Sequence, residues 1–152
     1  MRVCIGGTFN ILHKGHKYLI DKAFQIAGND GIVFLGVSEG KTLHKDKKFV
    51  NPFNERVNNL KKYLVLKNYE KRSVIVAIFD KYGIAVEKDF DAIIVSPGTI
   101  GNAIEINIER IKKGKKPMKI IKISYILADD KKPISSTRIY ENIIDRDGKV
   151  QH

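Results

Sequence analysis

Arg2-Val3-Cys4-Ile5-Gly6-Gly7-Thr8-Phe9-Asn10-Ile11-Leu12-His13-Lys14-Gly15-His16 passes from a β-branched apolar run through two glycines into the start of a helix. Glycines at such a junction allow a tight turn, and a helix start offers free N–H groups beside it. Working outward, apolar β-branched runs at 2–5, 31–37, 73–79, 91–95 and 118–127 alternate with stretches of helical period. That alternation marks parallel strands joined by crossover helices. Residues 17–27 place Tyr18, Leu19, Ala23 and Ile26 at helical spacings and close at Gly28. A second helix over 54–69, after Asn51-Pro52, carries Val57, Leu60, Leu64 and Val65 inward, and a third over 101–113 carries Ile104, Ile108 and Ile111 ahead of Gly114 and Pro117. The last runs from Ser135 or Ser136 to Ile144. The expected fold is α/β: a Rossmann-like doubly wound sheet, mainly parallel, with five strands and flanking helices. Ligands of such sheets sit at the carboxyl ends of the strands, near the point where strand order reverses.

The chain has 152 residues, a length that suits a single domain over 1–152. A polar tail over 146–152 is expected to fray, starting at Asp145. The apolar fraction is 43% and is spread along the chain, so no segment reads as a membrane span or as an export signal. A lone Cys4 forms no internal disulfide, and the expected compartment is the cytoplasm. There are 28 Lys and Arg against 17 Asp and Glu, a net charge of +11. The excess calls for an anionic partner without choosing among nucleic acid, lipid headgroups and phosphorylated small molecules. Residues 40–48 read as a mobile basic insertion with Lys41, Lys45, Lys47 and Lys48. Few aromatics interleave with it, which argues against a platform for single-stranded nucleic acid. A non-catalytic basic nucleic-acid-binding module stays as the alternative from another class. The sequence carries no signal for oligomeric state.

Two motifs carry chemistry. In His13-Lys14-Gly15-His16, two imidazoles flank a residue without a side chain, so a phosphate can lie against the backbone between two ring N–H donors. A lone histidine at a helix start is more often a cap, but here strand, double glycine, Thr8, paired histidines and helix start coincide. The spacing of three differs from that of the zinc helix motif and no Cys or carboxylate cluster accompanies it, so no protein metal ligand is expected. Near the other end stands Pro133-Ile134-Ser135-Ser136-Thr137-Arg138. One serine suffices as a helix cap, whereas three hydroxyls followed by Arg138 make a second anion site.

Together, Gly6-Gly7-Thr8-Phe9-Asn10 through His13-Lys14-Gly15-His16 and Ile134-Ser135-Ser136-Thr137-Arg138 resemble the nucleotidylyltransferase superfamily with its H-x-G-H and I-S-S-T signatures. Within it, the run from Gly6 to Leu19 is similar to the archaeal type of phosphopantetheine adenylyltransferase, and the likeness covers nearly the whole chain. The resemblance implies transfer of AMP from ATP to 4′-phosphopantetheine, giving dephospho-coenzyme A and pyrophosphate. It implies direct in-line attack by the acceptor phosphate on the α-phosphorus, with Mg²⁺ carried in on ATP. Other acceptors of the superfamily are nicotinamide mononucleotide, glycerol phosphate with CTP, and FMN. Because the nucleophile is already an anion, the protein has to position groups and stabilise charge, with little acid–base work to do.

The resemblance assigns His16 and Lys41 to catalysis. It assigns Gly7, Thr8, Phe9, His13, Gly15 and His16, with Ser135, Ser136, Thr137 and Arg138, to ATP, the last four around the β- and γ-phosphates. Thr8 and Lys41 meet the acceptor phosphate; the alternative for Lys41 is one more solvated lysine. Less direct assignments put Pro97, Gly98, Thr99 and Asn107 near the nucleotide and Tyr82 and Ser96 near the acceptor, with ordinary turns as the alternative reading at 80–83. Bacterial relatives carry an arginine-rich turn near Ser96 and the archaeal type usually a glutamate where Gly98 stands; this chain has neither. Arg110 either backs the adenine site or complements a helix end, Arg56 either reaches phosphate or pairs with a carboxylate, and Asp129-Asp130 reads as a solvated turn. His44 and Cys4 read as structural.

Overall fold

The computed structural model describes residues 1–45 and 49–151; Lys47 and Lys48, named above, and the last residue of the tail, His152, lie outside them. Five strands, β1 (Arg2–Gly7), β2 (Ile32–Ser38), β3 (Ser73–Ile78), β4 (Ala92–Val95) and β5 (Lys119–Lys122), form one all-parallel sheet in the order β3-β2-β1-β4-β5. The helices are α1 (Lys14–Ala27), α2 (Lys41–His44), α3 (Phe53–Leu66), α4 (Ile100–Lys112) and α5 (Ser136–Tyr140). The strand pleat sorts the core into two layers. Val3, Ile5, Ala92 and Ile94 face the cluster with α1 and α3, while Cys4, Ile93 and Val95 face the cluster with α4 and the 82–90 segment. Strand order reverses between β1 and β4, so the switch point opens beside Gly7 and Val95.

The five-stranded parallel sheet agrees with the sequence expectation; several element limits do not. The long strand over 118–127 shrinks to Lys119–Lys122. Its neighbour in the sheet, β4, is four residues long, and the ladder from Ala92↔Lys119 to Val95↔Lys122 exhausts it. The chain then turns back on itself, with Leu127 bridging Pro133. The helices expected to run to 69 and 144 stop at Leu66 and Tyr140. Each ends in a Schellman turn with a left-handed asparagine, Asn68 (φ 59°) and Asn142 (φ 60°). Tyr69 N donates to Leu64 O at 2.8 Å and Ile143 N to Arg138 O at 2.9 Å, closing the two turns.

The inward face of α4 is also corrected. Ile104, Ile108 and Ile111 are about half exposed, and Ala103, Ile106 and Arg110 are buried. Arg110 tolerates burial because its guanidinium donates to the carbonyls of Ala85, Lys88 and Lys116. On α3, Val65 is exposed and Arg56 and Tyr63 turn inward beside Leu60 and Leu64; on α1, Tyr18 is exposed and Ile20, Phe24 and Ala27 are buried with Ala23. The basic insertion holds the short helix α2. The tail is tied down rather than frayed: Ile144 bridges Val150, Gln151 N donates to Ile143 O, and Asp129 N to Gly148 O. Ile144, Ala128 and Ile134 form a small third core there. No helix among the described residues is long and apolar enough to cross a membrane.

Candidate active site

At the end of β1 the chain turns through Phe9, which has φ 49° and is 2% exposed. Its ring packs 5.3 Å from that of His16, so the Phe9 side chain is a buried support and only its backbone is left to a ligand. His13 caps α1: its Nδ1 accepts from Gly15 N at 3.0 Å and His16 N at 3.4 Å. His16 Nδ1 in turn accepts from His13 N at 3.3 Å, completing a capping box built from two imidazoles stacked at 3.7 Å. A Cβ on Gly15 would stand 2.9 Å from His13 Cε1. The glycine is therefore needed first for the His13 ring to fold across its own helix start.

This geometry fixes the tautomers. Each Nδ1 faces backbone N–H donors and must be bare, so each neutral ring carries its proton on Nε2. Burial keeps both rings neutral, lowering His13 to about 4 and His16 to about 3; the neighbouring His13 adds to the shift at His16 and the Ile11 backbone opposes it. The pair thus offers neutral N–H donors rather than cations.

Hydroxyls and arginines assemble the rest. Ser135 caps α5 by accepting from Arg138 N at 3.2 Å. Ser136 Oγ accepts from Ile11 N at 3.1 Å and donates to Ile11 O at 3.2 Å, stitching α5 to the loop after β1. Both serines are therefore partly or wholly engaged by the protein, and Thr137 is the exposed hydroxyl of the three. Arg138 donates to Pro133 O and pairs with Asp130. So Asp130 belongs to an ion pair rather than to a solvated turn.

Arg56 is 1% exposed, turned into the protein with Glu39 as its carboxylate neighbour. Its guanidinium donates to Asn51 O, Thr8 O and Ser38 O, with Glu39 at 3.6 Å, and so ties the carboxyl ends of β1 and β2 together. The burial lowers its pKa against the pull of Glu39. Asn10, also buried, exchanges three hydrogen bonds with Phe49 and Asn51 and holds the same loop. Sequence reasoning missed both as scaffold; the available signal was Arg56, Leu60 and Tyr63 on one helical phase.

A cleft of about 310 Å³ opens between the strand ends and α4. Its walls are mostly apolar, among them Phe34, Ile78, Ile84 and Ile106, and Thr8, Ser38, Tyr82, Thr99 and Asn102 supply polar groups. Asn102 donates to Lys81 O, and its Oδ1 is the one buried side-chain acceptor without a partner among the described residues. Lys41, exposed at the start of α2, lines an adjoining hollow with Glu39, Gly40, His44 and Lys45. Tyr82 donates to Glu105 at 3.3 Å from a turn capped by Asp80.

Ser96, Pro97, Gly98 and Thr99 form a tight turn after β4 in which Thr99 Oγ1 accepts from Ser96 N. A Cβ on Gly98 would meet the Tyr125 hydroxyl at 2.7 Å, so a larger residue fits only if Tyr125 moves. Asn107 does not join the site. Its amide is used at both ends by Met118 N and O, at the opposite end of the sheet from the cleft. No group of three or more metal-ligating side chains occurs among the described residues.

The model of the cytidylyltransferase-like family matches residues 4–142. The phosphopantetheine adenylyltransferase of Methanosarcina acetivorans is 44% identical over 150 residues, covering 99% of this chain and 96% of its own. That of Archaeoglobus fulgidus is 41% identical, covering 99% of each. A crystal structure of an Archaeoglobus fulgidus protein of unknown function superposes with a TM-score of 0.72 at 37% identity, covering 81% of this chain and 89% of that one. With a family model spanning most of the chain and full-length relatives above 40% identity, this protein belongs to the cytidylyltransferase-like family and, within it, to the phosphopantetheine adenylyltransferases.

Proposed function

We propose that this enzyme moves AMP from ATP to 4′-phosphopantetheine, giving dephospho-coenzyme A and pyrophosphate in coenzyme A synthesis. The observation that carries the reading is the neutral, Nε2-protonated histidine pair at the end of β1, joined through Ile11 to Ser136 at the start of α5. Two phosphate-facing elements are thereby held as one unit beside a mostly apolar cleft of about 310 Å³.

In the proposed reaction a phosphate oxygen of the acceptor forms a bond to the α-phosphorus of ATP as the bond to the bridging oxygen of pyrophosphate breaks. No proton need leave the nucleophile and no covalent enzyme intermediate forms. His16 donates from Nε2 to an α-phosphate oxygen, where negative charge builds in the transition state, and a preorganised donor in a dry site is worth most there. His13, Gly7, Gly15 and the backbone at Phe9 line the nucleotide phosphates. Thr137, the Ser135 hydroxyl proton and Arg138 meet the β- and γ-phosphates, Arg138 exchanging its contact with Asp130 for one with phosphate. Lys41 bridges the acceptor phosphate and the α-phosphate, and Thr8 binds the acceptor phosphate. Tyr82 and Ser96 flank the acceptor arm, with the unpaired Asn102 Oδ1 in the same wall, while Pro97, Gly98 and Thr99 border the nucleotide. Mg²⁺ enters as part of the ATP substrate and needs no ligand set from the protein. The cytoplasm, where a single thiol stays reduced, is the compartment this reading implies.

The deciding experiment supplies ATP and Mg²⁺ with each acceptor and measures pyrophosphate. Turnover is expected with 4′-phosphopantetheine. Turnover with nicotinamide mononucleotide, FMN, or glycerol phosphate with CTP, and none with 4′-phosphopantetheine, would reject the acceptor. Salt-sensitive nucleic-acid binding with no pyrophosphate from any acceptor would reject catalysis.

A further inference from the structure

His44 stands three residues after Lys41 on α2, and its Nε2 lies 2.8 Å from Ser38 Oγ. Ser38 is 6% exposed and donates its only proton to Thr8 Oγ1 at 3.0 Å. With that proton committed, Ser38 can only accept from the imidazole, so Nε2 of His44 carries a hydrogen. The direction of the chain is then fixed: His44 donates to Ser38, Ser38 donates to Thr8, and the proton of Thr8 is left over. Among the described residues that proton has no acceptor, and Thr8 lines the cleft. Ser38 and Leu43 line the same cleft, while His44 faces the adjoining hollow with Lys41. The imidazole therefore sits behind the wall and acts through it.

We propose that His44 is a positioning residue for the acceptor: through Ser38 it holds the Thr8 hydroxyl with its hydrogen turned into the cleft, as a preset donor to the incoming phosphate. This rests on the reading that Thr8 meets the acceptor phosphate. A hydroxyl that already accepts one hydrogen bond is restricted to donate in the remaining direction, so it need not reorient when the anion arrives. The relay works on the acceptor side alone, because the histidine pair of α1 is held by a separate set of backbone bonds.

The test is steady-state kinetics with ATP and 4′-phosphopantetheine, together with calorimetric ATP binding in the absence of acceptor. His44→Ala should raise KM for the acceptor five- to twentyfold, with kcat within threefold, the ATP Kd within twofold and Tm within about 2 °C. His44→Gln, whose amide can donate from nearly the same place, should restore KM to within twofold of the wild type. In a Thr8→Val background, His44→Ala should add less than twofold. An unchanged KM in His44→Ala, a parallel loss of ATP binding, or an undiminished effect in the Thr8→Val background would each overturn the proposal. Should His44→Ala fail to fold, Ser38→Ala breaks the relay at its middle and must show the same acceptor-specific rise, or the proposal fails. Wild-type turnover separates the two levels: no turnover with 4′-phosphopantetheine rejects the acceptor reading and this role with it, whereas normal wild-type turnover with an unaffected His44→Ala rejects this role alone.

Discussion

His16 concentrates two demands on one ring. Its Nδ1 helps to cap α1, which leaves Nε2–H as the donor for a ligand, so truncation removes a cap and a donor together. A donor that strengthens only as charge develops shows itself in kcat. His16→Ala should therefore lower kcat by about 10²- to 10³-fold, with the ATP Kd within about threefold by calorimetry; a loss confined to KM would contradict the role. The same burial has a consequence for stability. Both histidines titrate at about 4 and about 3 in the fold, against 6.5 in the unfolded chain. Between those values the unfolded chain binds more protons, so stability rises with pH there and is lost as pH falls below 6.5. The linkage amounts to about 2 kcal/mol for each ring at pH 5 relative to pH 8. Thermal melts across pH 5–8 should show Tm falling toward acid, and His16→Asn should flatten the trend. A pH-independent Tm would mean that the rings are not buried neutral.

At the scale of elements, the site depends on a segment that sequence composition discounts. The chain after Ile144 is polar, yet Arg146 O accepts from Lys14 N at the first residue of α1, and Gly148 lies against Ile134 just ahead of Ser135. The tail thus braces the starts of both α1 and α5. Gly148 has φ 86°, and a Cβ there would stand 2.9 Å from Ile134 Cδ1 and 3.0 Å from Ala128 Cα. Gly148→Val should cost about 2–3 kcal/mol in urea unfolding and raise KM for ATP several-fold, because lifting Ile134 shifts Ser135 and Thr137. Unaltered ATP affinity would show the tail to be a passive cover. The succession of strands and helices and the two motifs at helix starts were legible because they rest on local pattern: β-branched runs, paired glycines, histidines and serines at a helix start. What stayed hidden depends on contacts distant in sequence. Asn68 and Asn142 stop their helices only through left-handed turns, and β5 is short because β4 is. Arg56 and Arg110 stay open between a ligand contact and a surface pair or helix end until the carbonyls that surround them are in place.

Over the whole molecule, the charge of +11 is spread widely, and two of its clusters stand at opposite ends of the sheet. Lys41, Lys45 and Arg138 stand around the carboxyl ends of the strands, whereas Lys112, Lys113, Lys115 and Lys116 cluster where α4 ends and β5 begins. A strand of six residues is about 20 Å long, and Arg2 at the start of β1 stands with Lys115 and Lys116, so that far cluster lies more than two Debye lengths from the carboxyl end of β1 at 0.15 M salt, where that length is about 8 Å. At 0.01 M the length grows to about 30 Å and every lysine contributes to the field that draws in ATP and the acceptor phosphate. For the wild type, kcat/KM for ATP should fall about tenfold between 0.01 and 0.15 M, with kcat changing less than twofold, because steering acts on encounter and not on the bound complex. Replacing Lys112, Lys115 and Lys116 by glutamine lowers the net charge from +11 to +8 without touching the cleft. That variant should be slower than the wild type at 0.01 M and indistinguishable from it at 0.15 M. If the two instead differ equally at both salt concentrations, the far lysines act by contact rather than by field, and the division of the charge into a substrate site and a solvated face is wrong.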